Sequence, residues 1–81
     1  MKAAEILVQV QGIMRDVLDN ETITIRPETT AQQVPEWDSL THVQLVVAIE
    51  KHFAIRFTAR ELNGFRNVGE MCAGIEKRLA S

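Results

Sequence analysis

The sequence predicts an all-α fold: a compact bundle of three main helices and one short helix, with a long loop between the first two. Three segments space their apolar residues at intervals of three and four, as amphipathic helices do. A brief segment before the last of them carries the signals of a helix start and a helix stop. The one stretch that alternates like a β-strand, residues 22–25, is too short to form a sheet.

Composition limits both the architecture and the function. The 81 residues are 46% hydrophobic and 25% charged, which is typical of a folded chain. A chain this short can form only one hydrophobic core, so residues 1–81 are expected to form a single domain. The net charge is −2 and no sustained basic face is present, which argues against nucleic acid as a partner. No apolar run approaches the ~20 residues that span a bilayer, so a cytoplasmic monomer is expected.

The first helix is predicted to begin at Ala3 and to end near Asp19-Asn20, where short polar side chains compete for backbone hydrogen bonds. Its apolar stripe consists of Ile6, Leu7, Val10, Ile13, Met14, Val17 and Leu18. Residues 20–37 have no helical period and contain two prolines, which predicts a long ordered loop. Ile23 and Ile25 are expected to attach this loop to the core.

The second helix is predicted to begin at Asp38, a good N-cap, and to end near Phe53. Its apolar residues fall on two faces when they are placed 100° apart. One face comprises Leu45, Val46, Ile49 and Phe53; the other comprises Leu40, Val43 and Val47, close in angle to Glu50. One face suffices for a core, so the second is available for partner contact. The alternative is that the long loop buries it.

The rest of the chain contains two more helix starts. Residues 54–57 are expected to be an extended link with Ile55 and Phe57 turned inward. Residues 58–61 form a capping box that opens a brief helix ending at Gly64, and residues 67–70 open the last helix in the same manner. The last apolar stripe is Val68, Met71, Cys72, Ile75 and Leu79. A lone cysteine on such a stripe predicts a core residue and excludes an internal disulfide framework.

Ser39 is the strongest candidate for chemistry. It directly follows the N-cap, so a phosphate group on its hydroxyl is expected to lie near unpaired N–H groups at the positive end of the helix dipole. The alternative is a serine that only helps to cap the helix. The sequence shows no nucleophile–base pair and no metal-ligand set, and neither His42 nor His52 has a cysteine or convergent carboxylates beside it. We therefore expect no enzyme activity and no metal site.

Asp38-Ser39-Leu40, followed by the apolar spacing up to Phe53, resembles the acyl and peptidyl carrier proteins. The resemblance covers nearly the whole chain, including the helix order, the long first loop and the start of the last helix. It implies that a phosphopantetheinyl transferase attaches 4′-phosphopantetheine from coenzyme A to Ser39. Acyl groups would then be held on this arm as thioesters for acyl-loading and acyl-transfer or condensing enzymes. The implied partner-binding residues are Asp38, Leu40, Val43, Val47 and Glu50.

The charges depart from the pattern of carriers that serve bulk fatty-acid synthesis, which are commonly acidic along the second helix. The non-acidic residues in question are Thr41, Gln44, Lys51, His52, Arg56, Arg60 and Arg66. Trp37 before the motif is also more typical of specialised acyl, polyketide or peptide pathways. These departures favour an acyl carrier in a specialised lipid or polyketide pathway. A stand-alone peptidyl or aminoacyl carrier and an unmodified helical adaptor remain alternatives.

Overall fold

The structure, a computed structural model, describes residues 2–80 and confirms the all-α bundle. Its helices are α1 (Ala3–Val17), α2 (Ser39–Phe53), α3 (Ala59–Gly64) and α4 (Val68–Ala80). A single 3₁₀ turn (Ala31–Gln33) lies within the long loop, where the sequence predicted no helical structure. No helix within the described range is long and apolar enough to cross a membrane.

The core lies where α1 packs against both α2 and α4. The predicted stripes supply it, and their fully buried members are Ile6, Val10, Met14, Leu45, Val46, Ile49, Val68, Met71 and Ile75. Cys72 is also buried, and burial raises the pKa of its thiol to about 11. The thiol is therefore protonated at neutral pH, as expected of a small core residue.

α2 ends at Phe53, as predicted, but the end of α1 and the residue after α2 differ in detail from the prediction. α1 ends at Val17, short of Asp19-Asn20, because Asp19 adopts a left-handed conformation with φ of 52°. Ala54, predicted to be extended, is also left-handed, with φ of 57° and ψ of 46°. The N–H of Ile55 then donates to the carbonyl of Glu50 (3.0 Å) and closes α2. Glycine usually occupies such a helix end, and its absence here removed the sequence signal.

Polar side chains of α1 hold the first part of the long loop. The Arg15 Nε–H donates to the carbonyl of Ile23 (2.7 Å), and the N–H of Ile25 donates to Gln11 Oε1 (3.0 Å). Ile23 and Ile25 are both buried, which confirms the prediction that they attach the loop to the core. These two backbone groups of the loop are thus satisfied by side chains of α1 rather than by a β-sheet.

The first turn of α4 holds the second part of the loop. The N–H of Val68 donates to the carbonyl of Thr29 (2.9 Å), and the N–H of Gly69 donates to the carbonyl of Pro27 (2.7 Å). First-turn N–H groups have no partner within their own helix, so the loop satisfies them. The close approach of the loop backbone to α4 requires glycine at position 69, because a Cβ there would lie 2.9 Å from the carbonyl oxygen of Pro27.

The capping box predicted for α3 is present: Thr58 Oγ1 accepts from the N–H of Glu61. The one predicted for α4 is altered. Asn67 caps the helix by accepting from the N–H of Glu70 (2.8 Å), but the Glu70 carboxylate accepts from the N–H of Arg66 (2.9 Å) and not from that of Asn67. This contact fixes the Arg66 backbone at the start of α4.

α3 has no buried residue, and polar and ring contacts tie it and the segment after it to the bundle. Glu61 forms an ion pair with Arg78 of α4. Phe65, just beyond α3, contacts the edge of Phe57, with ring centroids 5.3 Å apart. Ile55 and Phe57 are partly buried and pack against the core, consistent with their predicted inward orientation.

The close contact at Gly69 gives a stability prediction. We expect Gly69→Ala to lower the free energy of unfolding by about 1–3 kcal/mol, because the added methyl group must displace the Pro27 backbone. Gly12→Ala is the matched control, because Gly12 lies within α1 and a Cβ added there would meet nothing within 4 Å. This change should raise the free energy of unfolding by about 0.5–1 kcal/mol, since alanine favours the helix more than glycine does. Urea denaturation of both variants measures this, and equal effects would show that the loop tolerates displacement.

Candidate functional site

Ser39 is the first residue of α2, and its side chain is exposed. Within residues 2–80 its hydroxyl has no hydrogen-bond partner. Asp38 caps the helix: its Oδ1 accepts from the N–H groups of Leu40 and Thr41, both at 2.9 Å. The Thr41 hydroxyl accepts in return from the N–H of Asp38 (2.8 Å). This reciprocal cap holds the Ser39 backbone at the end of the helix.

The same cap corrects one expectation about Ser39. The N–H groups of Leu40 and Thr41 are not unpaired, because the Asp38 carboxylate occupies both, and the N–H of His42 donates to the carbonyl of Asp38 (2.8 Å). The hydrogen bond from the Thr41 N–H, supported by that from Leu40, lowers the pKa of Asp38. A negative charge therefore already lies beside Ser39, which makes the helix start a weaker anion site than the sequence predicted.

Trp37 and His42 join the loop, α2 and α3. Trp37 is buried, and its Nε1–H donates to His42 Nδ1 (3.1 Å). Because an indole nitrogen can only donate, Nδ1 is the acceptor and the ring proton resides on Nε2. That Nε2–H donates to the carbonyl of Leu62 in α3 (2.9 Å). His42 thus acts as a structural bridge, and the buried Trp37 attaches the end of the loop to the core.

A cleft of about 270 Å³ opens beside Ser39, between α2 and the segment that includes α3. Asp38 and Ser39 form one side of it, and Leu62, Phe65 and Arg66 contribute the other. In the sequence, Arg66 is distinguished only by its positive charge, which differs from the acidic pattern described above. No local pattern links it to Ser39, because the path of the chain through α3 brings the two together.

The second face of α2 is exposed. Leu40, Val43 and Val47 are 70%, 47% and 43% exposed, so the long loop does not bury them. A groove of about 480 Å³ continues this face toward the end of α2 and includes Lys51 and Arg56. Its remaining lining residues are Val47, Glu50, Ala54 and Ile55.

Glu50 is less available than its place near this face suggested. It is half-buried, and its Oε2 accepts a hydrogen bond from the N–H of Phe57 (2.7 Å). One of its functions is therefore to hold the link that follows α2. Among residues 2–80 there is also no cluster of three or more side chains suited to binding a metal ion.

Comparison with known proteins agrees with this geometry. A family model described as a phosphopantetheine attachment site matches residues 8–75. The chain is 32% identical to acyl carrier protein 3 of Ralstonia nicotianae over all 81 residues and 93% of that protein. It is 30% identical to the meromycolate extension acyl carrier protein of Mycobacterium tuberculosis, over 90% of this chain and 64% of that protein.

A solved structure is also similar. The solution NMR structure of a holo acyl carrier protein from Geobacter metallireducens superimposes with a TM-score of 0.86 at 38% sequence identity. The match covers 91% of this chain and 85% of that one. The family model and these relatives define a covalent carrier of the phosphopantetheine-binding class, and the chain belongs to the acyl carrier protein family. Its cofactor is covalently attached 4′-phosphopantetheine, and its class is that of carriers rather than catalysts.

The exposed face gives a second prediction. Val47→Ala should lower the free energy of unfolding by less than about 0.5 kcal/mol, as most surface changes do, because Val47 is 43% exposed. Ile49→Ala should cost about 2–5 kcal/mol, since Ile49 is fully buried and its truncation leaves a cavity. Chemical denaturation compares them, with phosphopantetheine transfer measured on the same samples. We expect Val47→Ala to slow the transfer while folded; similar destabilisation by both changes would make the stripe part of the core.

Proposed function

We propose that Ser39 is the attachment site of the phosphopantetheine arm and that the chain carries acyl groups in a specialised lipid or polyketide pathway. The observation that supports Ser39 most directly is its exposed hydroxyl, which has no hydrogen-bond partner within residues 2–80 and belongs to a residue that lines a cleft. It lies in the Asp38-Ser39-Leu40 motif, inside the stretch that the family model matches. The sequence holds one other serine, Ser81, which lies outside the motif.

The proposed modification uses only the hydroxyl of Ser39 from this chain. Its oxygen forms the new bond to phosphorus while the pyrophosphate bond of coenzyme A breaks and adenosine 3′,5′-bisphosphate leaves. The hydroxyl proton passes to the transferase or to solvent. Once attached, the arm supplies a terminal thiol that holds acyl groups as thioesters. The carrier then contributes position and recognition, since a tethered group reaches a high effective concentration near a docked enzyme.

We propose that the exposed face of α2 is where the transferase and the acyl-handling enzymes dock. Leu40 follows Ser39 directly, and Val43 and Val47 lie on the same side at successive turns, so an enzyme that covers this stripe also reaches Ser39. Asp38 and Glu50 would complete the contact. The serine and the face lie on one chain, so a monomer suffices for this role.

The charges beside this face support a specialised pathway. Lys51 and Arg56 lie in the groove next to Val47, and within residues 2–80 their side chains form no ion pair or hydrogen bond. They therefore weaken any negative field that would steer the carrier to a basic partner. The Mycobacterium relative, whose name refers to meromycolate extension, is consistent with a lipid role. A peptidyl or aminoacyl carrier would differ in the enzyme that loads the arm, and an adaptor would carry no arm.

Modification at Ser39 is the direct test. Incubation with coenzyme A, magnesium and a broad-specificity phosphopantetheinyl transferase should add one phosphopantetheine to the wild type, as measured by intact-protein mass spectrometry. Ser39→Ala should abolish the addition because it removes the nucleophile, and Ser81→Ala should leave it unchanged. An unmodified wild type beside a working carrier control, or a modified Ser39→Ala protein, would refute the assignment.

The pathway is tested by steady-state rates with a primary fatty-acid synthase system. We expect slower turnover than with a strongly acidic carrier, because the positive charges beside the exposed face of α2, the proposed docking face, repel basic patches on a partner enzyme. The double variant Gln44→Glu, Lys51→Glu should accelerate turnover at low ionic strength, and the gain should shrink as salt is added. Lys2→Glu places a new acid at the start of α1 and should have little effect. Equal rates for the wild type and the acidic carrier would count against specialisation.

A further inference from the structure

We propose that Arg66 binds the phosphodiester of the attached arm and thereby directs the arm into the cleft beside Ser39. This inference rests on attachment at Ser39. It assigns a ligand-binding role to a residue whose charge departs from the pattern of acidic carriers. The ligand chemistry is that of a singly charged phosphodiester anion.

The structure sets an electrostatic problem at the attachment point. A phosphodiester on Ser39 places a negative charge next to the Asp38 carboxylate, whose pKa is lowered by hydrogen bonds from Thr41 and Leu40. These are first-turn N–H groups that would otherwise stabilise an anion, and Asp38 Oδ1 occupies them both. With these two N–H groups occupied, the helix start offers less compensation, and a nearby positive charge would add to it.

Arg66 is placed to provide this charge. It lines the same cleft as Asp38 and Ser39, and within residues 2–80 its side chain has no ion pair or hydrogen bond. Its backbone is fixed, because the N–H donates to Glu70 Oε1 (2.9 Å). His42, the other basic side chain in the cleft, uses both ring nitrogens to bridge Trp37 and Leu62. Arginine also suits the task, since its planar guanidinium can donate two parallel hydrogen bonds to a phosphate.

This placement has a consequence for the docking face. Arg66 follows α3, so it attracts the phosphodiester toward the α3 side of Ser39. Val43 of the exposed α2 face also lines the cleft, whereas Leu40 and Val47 do not and remain open to a partner while the arm is held. Arg66 is thus a positioning residue for the arm, and its effect is visible in the isolated holo protein.

The test uses holo protein and ³¹P NMR, with three variants converted by the same transferase. Arg66→Gln removes the charge, and Arg66→Lys keeps the charge but loses the bidentate geometry. Arg60→Gln is the matched control, because Arg60 is exposed on α3 and does not line the cleft. All the sites are exposed, so each variant should fold.

We expect the ³¹P resonance of holo Arg66→Gln to move from the wild-type position toward that of the urea-unfolded holo protein, in which the phosphodiester is free in solvent, with Arg66→Lys in between and Arg60→Gln unchanged. In the wild type, the Arg66 Nε–H signal should shift between apo and holo protein. Modified proteins with identical ³¹P resonances would overturn the role of Arg66 and leave Ser39 intact. A wild type that accepts no phosphopantetheine would overturn both proposals.

Discussion

The two backbone hydrogen bonds from the first turn of α4 to the long loop constrain most of the molecule. They hold Pro27 and Thr29 against Val68 and Gly69, in the middle of a segment that no β-sheet supports. The loop contributes four buried side chains to a core formed by only three main helices: Ile23, Ile25, Val34 and Trp37. A domain of this size has a thin margin of stability, so the loop belongs to the core rather than merely connecting helices.

The position of the loop determines the geometry of the site. Its last buried residue, Trp37, donates to His42, and His42 donates to the carbonyl of Leu62, so a continuous chain of hydrogen bonds connects loop, α2 and α3. α3 buries no side chain of its own, and elements with few apolar contacts open most easily. The wall of the cleft opposite Ser39 therefore depends on this bridge and on the Glu61–Arg78 ion pair.

Periodicity and capping were sufficient to predict the helices, the two faces of α2 and the place of Ser39, because these features repeat locally along the chain. The contacts that shape the site join distant residues and left no such pattern. The left-handed Ala54 lacks the glycine that would have marked it, and the close approach of Gly69 to Pro27 arises only on folding. The approach of Arg66 to Ser39 likewise depends on the path of the chain through α3.

Asp38 has two electrostatic effects that conflict. Its carboxylate starts α2 by satisfying two N–H groups, but it would also repel the phosphodiester that we propose on Ser39. A cation lining the same cleft would offset this repulsion without weakening the cap, and Arg66 lines that cleft. Three positive charges from the last turn of α2 onward line two different surfaces. Lys51 and Arg56 line the groove beside the exposed face of α2, where we propose that they affect the steering of partners, whereas Arg66 lines the cleft, where we propose that it holds the arm. Substituting the charges of one surface should therefore leave the function of the other intact.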